Sequence, residues 1–241
     1  MISKARINKA MLLAAGRGTR MGELTEELPK PMLPLNGRPM IEHIVRRLQE
    51  AGLREILIVV GYRRELIEDH FRAGFPGVYF AVQEVVEGTA SAVRLGRDFV
   101  GHDPFLLTFG DIICDASNYS GIAAELERDG AAAAIGVKYA EDPWQGAAVY
   151  ADADGAVGKM IEKPTRGTSS THWNSAGLYA FRPDIFEEIA RAPKSARGEY
   201  EITTAIEQLI ERGRTVRMFE MTGAWRDVGR PEDLAEADKI V

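Results

Sequence analysis

One cysteine, Cys114, is the only thiol in the 241 residues, which excludes a disulfide framework and any multi-cysteine zinc or iron–sulfur centre. The four histidines share no metal-ligand spacing. No apolar run reaches the length of about 18 residues that a membrane helix needs. The first residues, Met1 to Arg6, lead into a short apolar stretch with neither a signal-peptide core nor a cleavage site, so a soluble cytoplasmic protein is expected. Repeats, low-complexity tracts and linker-like stretches are missing too. An apolar fraction of 45% and a charged fraction of 27% exclude disorder, collagen and coiled coil. An excess of base is also lacking: 30 Lys and Arg against 36 Asp and Glu give −6, the wrong balance for a general nucleic-acid binder.

The charge that is present is unevenly placed. Residues 1–40 hold seven bases (Lys4, Arg6, Lys9, Arg17, Arg20, Lys30, Arg38) against three acids, a local +4 on an otherwise acidic chain. Such a patch suits a small anionic ligand better than a polyanion. The hydrophobic pattern sets the scaffold. Lys9–Ala15 reads as a buried strand that stops at Gly16. Ile41, Ile44, Val45 and Leu48 share one helix face, closed by Gly52. Strands at 55–60, 78–82 and 105–109 alternate with helices at 63–71 and 89–97, which argues for a doubly wound sheet with right-handed crossovers. After about residue 130 the rhythm changes. Strands are expected at 131–137, 147–150, 157–162, 175–181 and 215–219, with a two-residue hairpin turn at Asp154-Gly155. A helix at 201–211 and a terminal helix opened by Pro231 complete the pattern. The fold class is α/β: a mixed, mostly parallel, Rossmann-like sheet with a small α+β lobe. The chain reads as a single domain over 1–241, its first half running to about residue 130 and its second half beyond it.

The densest motif is Leu13-Ala-Ala-Gly-Arg-Gly-Thr-Arg-Met21 followed by Leu28-Pro-Lys-Pro-Met-Leu-Pro34. Glycines after a first strand let backbone N–H groups close around phosphates. Neither standard phosphate loop fits. Met21 stands where a dinucleotide loop needs its third glycine, and no GxxxxGK[ST] string occurs. What remains is a glycine loop carrying Arg17 and Arg20, then Lys30 fixed between two prolines, a restriction that a solvated lysine does not need. Asp111 ends the apolar strand 105–109 and so falls at the carboxyl edge of the sheet, where open α/β folds bind ligands.

These two segments resemble the AAGxGTRM and PKPMLP motifs of the sugar-phosphate nucleotidylyltransferases, which join a nucleoside triphosphate to a sugar 1-phosphate and release pyrophosphate. Further landmarks follow in the family's order: Gln83…Gly88-Thr89-Ala90, Gly110-Asp111, Glu162-Lys163-Pro164, Asn174…Gly177 and Trp225-Arg-Asp227-Val-Gly229. The resemblance implies that Ala14, Ala15, Gly16, Gly18 and Thr19 line the nucleotide pocket with Gln83, Gly88 and Thr89. Arg20 and the loop amides would hold the departing phosphates, and Lys30 would neutralise charge at the α-phosphate. It implies a Mg²⁺ site at Asp111 and Asp227, Lys163 on the sugar phosphate, and Gly146, Glu162, Asn174 and Gly177 in the sugar wall. Phosphoryl transfer is mostly positioning and charge stabilisation, and the acceptor phosphate is already an anion. The absence of a Ser-His or Cys-His pair is therefore no defect. The expected partners are a nucleoside triphosphate and a sugar 1-phosphate, with no nucleic acid or membrane; a homo-oligomer stays open.

For the base, a glutamine carboxamide offers a donor beside an acceptor, which uracil, thymine and, after a flip, cytosine all satisfy. Hydrogen bonding alone leaves this open, and the resemblance to uridylyl- and thymidylyl-transferring members favours UTP or dTTP. Two rivals remain: a cytidylyltransferase acting on an alcohol phosphate, and a silent nucleotide-sugar-binding regulatory subunit. The second is expected to lack Arg20, Lys30 or a metal carboxylate, and all are present. Asp115 reads as a turn or cap residue, Cys114 as a buried apolar group, His43 and His70 as surface histidines, and Arg46-Arg47 and Arg63-Arg64 as solvated helix charges. His172 and Trp173 read as core packing more than as the acceptor border.

Overall fold

A computed structural model describes residues 7–72 and 74–241, so Lys4 and Arg6 of the basic segment lie outside the described residues. The first strand, β1 (Lys9–Ala14), lies at the centre of the sheet because its residues are apolar on both faces. The two-residue strands β2 (Pro34–Leu35) and β3 (Arg38–Pro39) form a small hairpin. Next come β4 (Glu55–Val60), β5 (Val78–Val82), β6 (Phe105–Phe109), β7 (Ile112–Cys114), β8 (Ala133–Tyr139), β9 (Ala147–Ala151), β10 (Val157–Glu162), β11 (Trp173–Phe181), β12 (Val216–Glu220) and β13 (Trp225–Asp227). Among the described residues, nine strands share one sheet in which β5, β4, β1 and β6 are parallel neighbours. Beyond β6 the sheet turns mixed: β11 is antiparallel to β6 and to β8, and β12 runs parallel to β8.

Alternate residues of the central strands feed two apolar layers. Ala10, Leu12, Ile56 and Ile58 pack under the helices Met40–Glu50, Arg64–Arg72 and Ala116–Glu127. Met11, Leu57, Val59 and Leu107 pack under Thr89–Arg94, Ile185–Arg191 and Ile202–Glu211. Helices thus cover both faces, as a doubly wound sheet requires. The chain steps outward from β1 to β4 and β5, then returns to the other side of β1 with β6. That reversal makes the crevice above the carboxyl ends of β1 and β6 the topological switch point, the place where such sheets bind ligands.

The expected strands are present within a few residues, and four features differ. The hairpin between β9 and β10 has a three-residue loop, not two: Asp152 pairs with Ala156, and Gly155 sits at φ +81°. This is the three-residue connection with a left-handed last residue. The structure adds the helices Ala116–Glu127 and Ile185–Arg191 to the expected elements. His70 is half-buried, with Nε2 2.9 Å from Oε2 of the buried Glu42, so it is not a free surface histidine. Arg46 meets the same Glu42, and Arg47 donates to the carbonyls of Cys114 and Ile240; neither is a merely solvated charge.

Candidate active site

The glycine loop leaves β1 at Ala14 and curls over the crevice. Gly18 sits at φ +73°, in the left-handed region, and a Cβ added there would fall 2.6 Å from Cβ of Lys30. Glycine is therefore required twice at this position, for the turn and for room beside Lys30. Pro29 stays extended and Lys30 opens a single helical turn, which seats the lysine 6% exposed beneath the loop. Its Nζ donates to Oδ2 of Asp111 at 2.7 Å. Gly110 N–H donates to Leu13 O at 2.8 Å, fastening the end of β6 to the end of β1 and delivering Asp111 beside the loop.

Two cavities open here and meet. One, of about 510 Å³, is lined by Ala14, Ala15, Gly16, Gly18, Thr19, Arg20, Lys30, Gln83, Gly88, Thr89 and Asp111. The other, of about 610 Å³, is lined by Arg20, Thr89, Asp111, Gly146, Glu162, Lys163, Asn174, Gly177 and Asp227. Every residue named from the sequence as a site candidate lines at least one of them. Arg20, Thr89, Phe109, Asp111, Glu199 and Gly229 line both, so two ligands bound side by side would face each other across this shared wall. Arg17 points elsewhere, its guanidinium 5.3 Å from the centre of the Tyr62 ring.

The second cavity exists because β11 changes partners along its length. Gly177 sits at φ +73° in a bulge between Ser175 and Tyr179. Beyond it the strand pairs with β6, and before it Asn174 pairs with Ala148 of β9. Bulges bend a strand, and this one swings the β9–β10 hairpin away from β6 and leaves the space between. The hairpin carries Glu162 and Lys163 into that space. Lys163 is held at φ +43°, a left-handed conformation costly for a side chain, with its N–H donating to Gly146 O at 2.7 Å. Gly146 abuts Asn174 closely: an added Cβ would lie 2.3 Å from Oδ1.

Asp227 reaches the junction from the far end of the chain. The short strands β13 and β7 pair antiparallel, with Asp227 opposite Ile112 and Val228 N–H donating to Asp111 O at 2.9 Å. The two aspartates are thus neighbours across a ladder. Asp227 is open to the cavity yet surrounded by protein below its rim. That loss of water raises it to about 6, and the Asp111 charge adds to the rise against the opposing pull of Lys30 and Arg20. Two carboxylates that disfavour each other's charge are the donor set a hard divalent cation would relieve, with phosphate oxygens and water completing its shell. Asp115 does not belong to this pair. Its Oδ2 accepts the Ala224 N–H at 2.9 Å and ties down the loop before β13.

Sequence reasoning missed part of the wall. Arg197 projects into the second cavity and spans three carboxylates, Glu201 at 2.8 Å, Glu162 at 3.3 Å and Glu199 at 3.8 Å. Burial and the nearby Glu201 charge raise Glu162, while Arg197 and Lys163 pull it down. The segment 199–203, which leads into the helix Ile202–Glu211, also straps the first cavity: Tyr200 N–H donates to Glu87 O at 2.7 Å, and Thr89 Oγ1 accepts the Ile202 N–H at 2.9 Å. His172 stacks on Tyr139, 5.2 Å between ring centres, and Trp173 packs against the core; neither lines the cavity.

Known proteins share this chain's sequence and fold over nearly its whole length. The chain is 37% identical over 238 residues to the UTP–glucose-1-phosphate uridylyltransferase AglF of Haloferax volcanii, covering 96% of this chain and 95% of AglF. It is 35% identical over 232 residues to the bifunctional protein GlmU of Methanocaldococcus jannaschii, covering 96% of this chain but only 54% of GlmU. Against GlmU, then, the chain spans about half of the relative's length. A putative glucose-1-phosphate thymidylyltransferase from Bacillus anthracis superposes with a TM-score of 0.84 at 27% identity, over 96% of this chain and 94% of that one. A UDP-glucose pyrophosphorylase complexed with UDP-glucose shares the fold, with a TM-score of 0.89, 24% identity and 97% of each chain covered. The nucleotidyl transferase family model matches residues 9–241, the span that carries both cavities and every strand described, and the chain belongs to that family.

Proposed function

We propose that this protein transfers a nucleotidyl group from a nucleoside triphosphate, UTP or dTTP, to a sugar 1-phosphate, releasing pyrophosphate and forming a nucleoside-diphosphate sugar. The observation that carries this reading is the pair of cavities sharing a wall that includes Arg20, Thr89 and Asp111. A site for one ligand needs one chamber; a site that joins two phosphates needs two that share a wall.

An oxygen of the sugar phosphate attacks the α-phosphorus, the α–β P–O bond breaks, and pyrophosphate leaves with that electron pair. No side-chain base is needed. The loop amides and Arg20 hold the leaving phosphates, and Lys30 faces the charge that builds at the α-phosphate. Glu162 and Asn174 orient sugar hydroxyls, and Lys163 fixes the attacking phosphate. Mg²⁺ at Asp111 and Asp227 would supply charge neutralisation between the two substrates. The uridylyltransferase and thymidylyltransferase relatives support the choice of donor and acceptor classes.

The test is pyrophosphate release over a matrix of nucleoside triphosphates and sugar 1-phosphates. Turnover confined to pairs containing UTP or dTTP supports the reading. Release without any sugar phosphate, or a preference for an alcohol phosphate with CTP, contradicts it.

A further inference from the structure

The donor chamber contains a hydrogen-bond chain whose direction is forced by the chemistry of its members. Gln83 follows β5, its N–H donating to Val60 O at 2.8 Å, and is 7% exposed. Its Nε2 lies 2.8 Å from Oγ of Ser91 and 3.5 Å from Gly88 O. Ser91 Oγ in turn lies 2.8 Å from Gly88 O. A carbonyl oxygen only accepts, so the single hydroxyl proton of Ser91 is committed to Gly88. Towards Gln83, Ser91 then offers only a lone pair. Only the NH₂ end of the carboxamide can meet it. The two ends of an amide are nearly alike in shape, and the bonds around them decide which way it points.

The carbonyl that starts the chain cannot drift. Tyr200 N–H donates to Glu87 O at 2.7 Å and Ala90 N–H donates to Tyr200 O at 2.8 Å, so Gly88 is strapped on both sides. A Cβ at Gly88 would fall 2.5 Å from Tyr200 O, which shows how closely the strap lies.

We infer that Ser91 is a positioning residue for donor-base selection, holding the Gln83 amide so that Oε1, an acceptor, is the end presented to the base. This rests on the donor-chamber reading above. Uracil and thymine carry a proton on N3 and satisfy that acceptor. Cytosine carries a lone pair there and meets it with repulsion. A carboxamide free to turn would serve either pyrimidine. Ser91 removes that freedom without touching the nucleotide. Guanine also carries a ring N–H, so the device separates the pyrimidines from each other and leaves purines to other contacts.

The experiment compares kcat/KM for UTP and CTP with one sugar 1-phosphate, in the wild type, Ser91→Ala and Ser91→Thr. Alanine suits the helix Thr89–Arg94, so the fold is retained. The UTP-over-CTP ratio is expected to fall about tenfold in Ser91→Ala, the worth of one hydrogen bond, and to recover in Ser91→Thr. Equilibrium binding of the two nucleotides by calorimetry should show the same change in ratio without turnover. Equal losses for both nucleotides, leaving the ratio fixed, would mean that Ser91 only packs, and would overturn the inference. A wild type that transfers nucleotidyl groups but prefers CTP overturns it as well, with the transferase reading intact. A wild type that releases no pyrophosphate, yet whose binding ratio still shifts in Ser91→Ala, sinks the transferase reading and keeps the positioning role.

Discussion

Lys30 Nζ and Asp111 Oδ2 lie 2.7 Å apart, and the lysine and aspartate side chains are only 8% and 27% exposed. Lys30 lines the first cavity and Asp111 lines both, so the pair sits where the chambers share a wall. On the proposed reaction, Lys30→Ala removes the cation facing the α-phosphate and leaves Asp111 uncompensated. We predict a loss in kcat/KM on the order of a hundredfold or more for Lys30→Ala and for Arg20→Ala. Arg72→Ala, at a side chain 73% exposed and paired with exposed Asp69, should stay near wild type. Equal losses across all three, in pyrophosphate release, would mean that charge at the loop is not special.

Gly18→Ala tests the packing beneath the same lysine. The new Cβ meets Lys30 Cβ at 2.6 Å and the residue must hold φ +73°. Strain of this kind costs about 1–3 kcal/mol, so the urea midpoint should fall, and kcat/KM should fall with it as Lys30 is displaced. A variant with unchanged midpoint and activity would show that the loop has room to spare.

The pairs that the sequence revealed are local ones. A strand stopping at Gly16, a lysine between prolines and a carboxylate at the end of β6 are written in adjacent residues. Residues far apart in sequence, such as Asp111 and Asp227, were grouped only by the family resemblance, and distant partners outside its motifs stayed hidden. Helix Ala116–Glu127 carries Ser117, Asn118, Ser120 and Gly121 in its first half, residues that weaken helix propensity, and only its tertiary contacts make it form. One such contact is the use of both ends of Asn118 on the backbone of Thr222, with Nδ2 2.9 Å from Thr222 O and Oδ1 2.9 Å from Thr222 N. Arg197 escaped notice for the same reason, because a loop arginine means little until Glu162 and Glu201 are seen around it.

Glu42 gives the fold a dependence on pH. Burial alone would raise its carboxyl, but the hydrogen bonds and charges of Arg46 and His70 outweigh burial and hold it below its ordinary value. A depressed carboxylate stabilises the folded state above its unfolded pKa of about 4.3, and that contribution is lost as pH falls through the lower folded value. Arg46→Ala should lower the denaturation midpoint at pH 7 and leave it nearly unchanged at pH 2. The same drop at both pH values would show that Arg46 acts through packing on Phe75, whose ring centre lies 5.1 Å away.

Cys114 should be inert in the native protein. It is fully buried, and burial raises its thiol to about 11, well above the ordinary range. At pH 8 a thiol reagent should label it slowly in buffer and rapidly in denaturant. Fast native labelling would require β7 to open, and with it the ladder that joins Asp111 to Asp227.

The metal assignment predicts that excess chelator abolishes turnover and that added Mg²⁺ restores it. Asp111→Asn and Asp227→Asn should each lower kcat by several orders of magnitude; the unfolding free energy should stay within about 1 kcal/mol of wild type in Asp227→Asn, whose side chain faces the cavity, and fall further in Asp111→Asn, which leaves the buried Lys30 charge unpaired. Near-normal turnover in either variant, or in chelator, removes that carboxylate from the reaction.

The central claim is that one phosphate attacks another across the junction of the two chambers, and following the α-phosphorus tests it most directly. With UTP labelled at the α-phosphate and an unlabelled sugar 1-phosphate, the label should appear in a UDP-sugar in amounts equal to the unlabelled pyrophosphate released. Label recovered in free UMP, or bound to the protein after denaturation, would contradict direct transfer between the chambers.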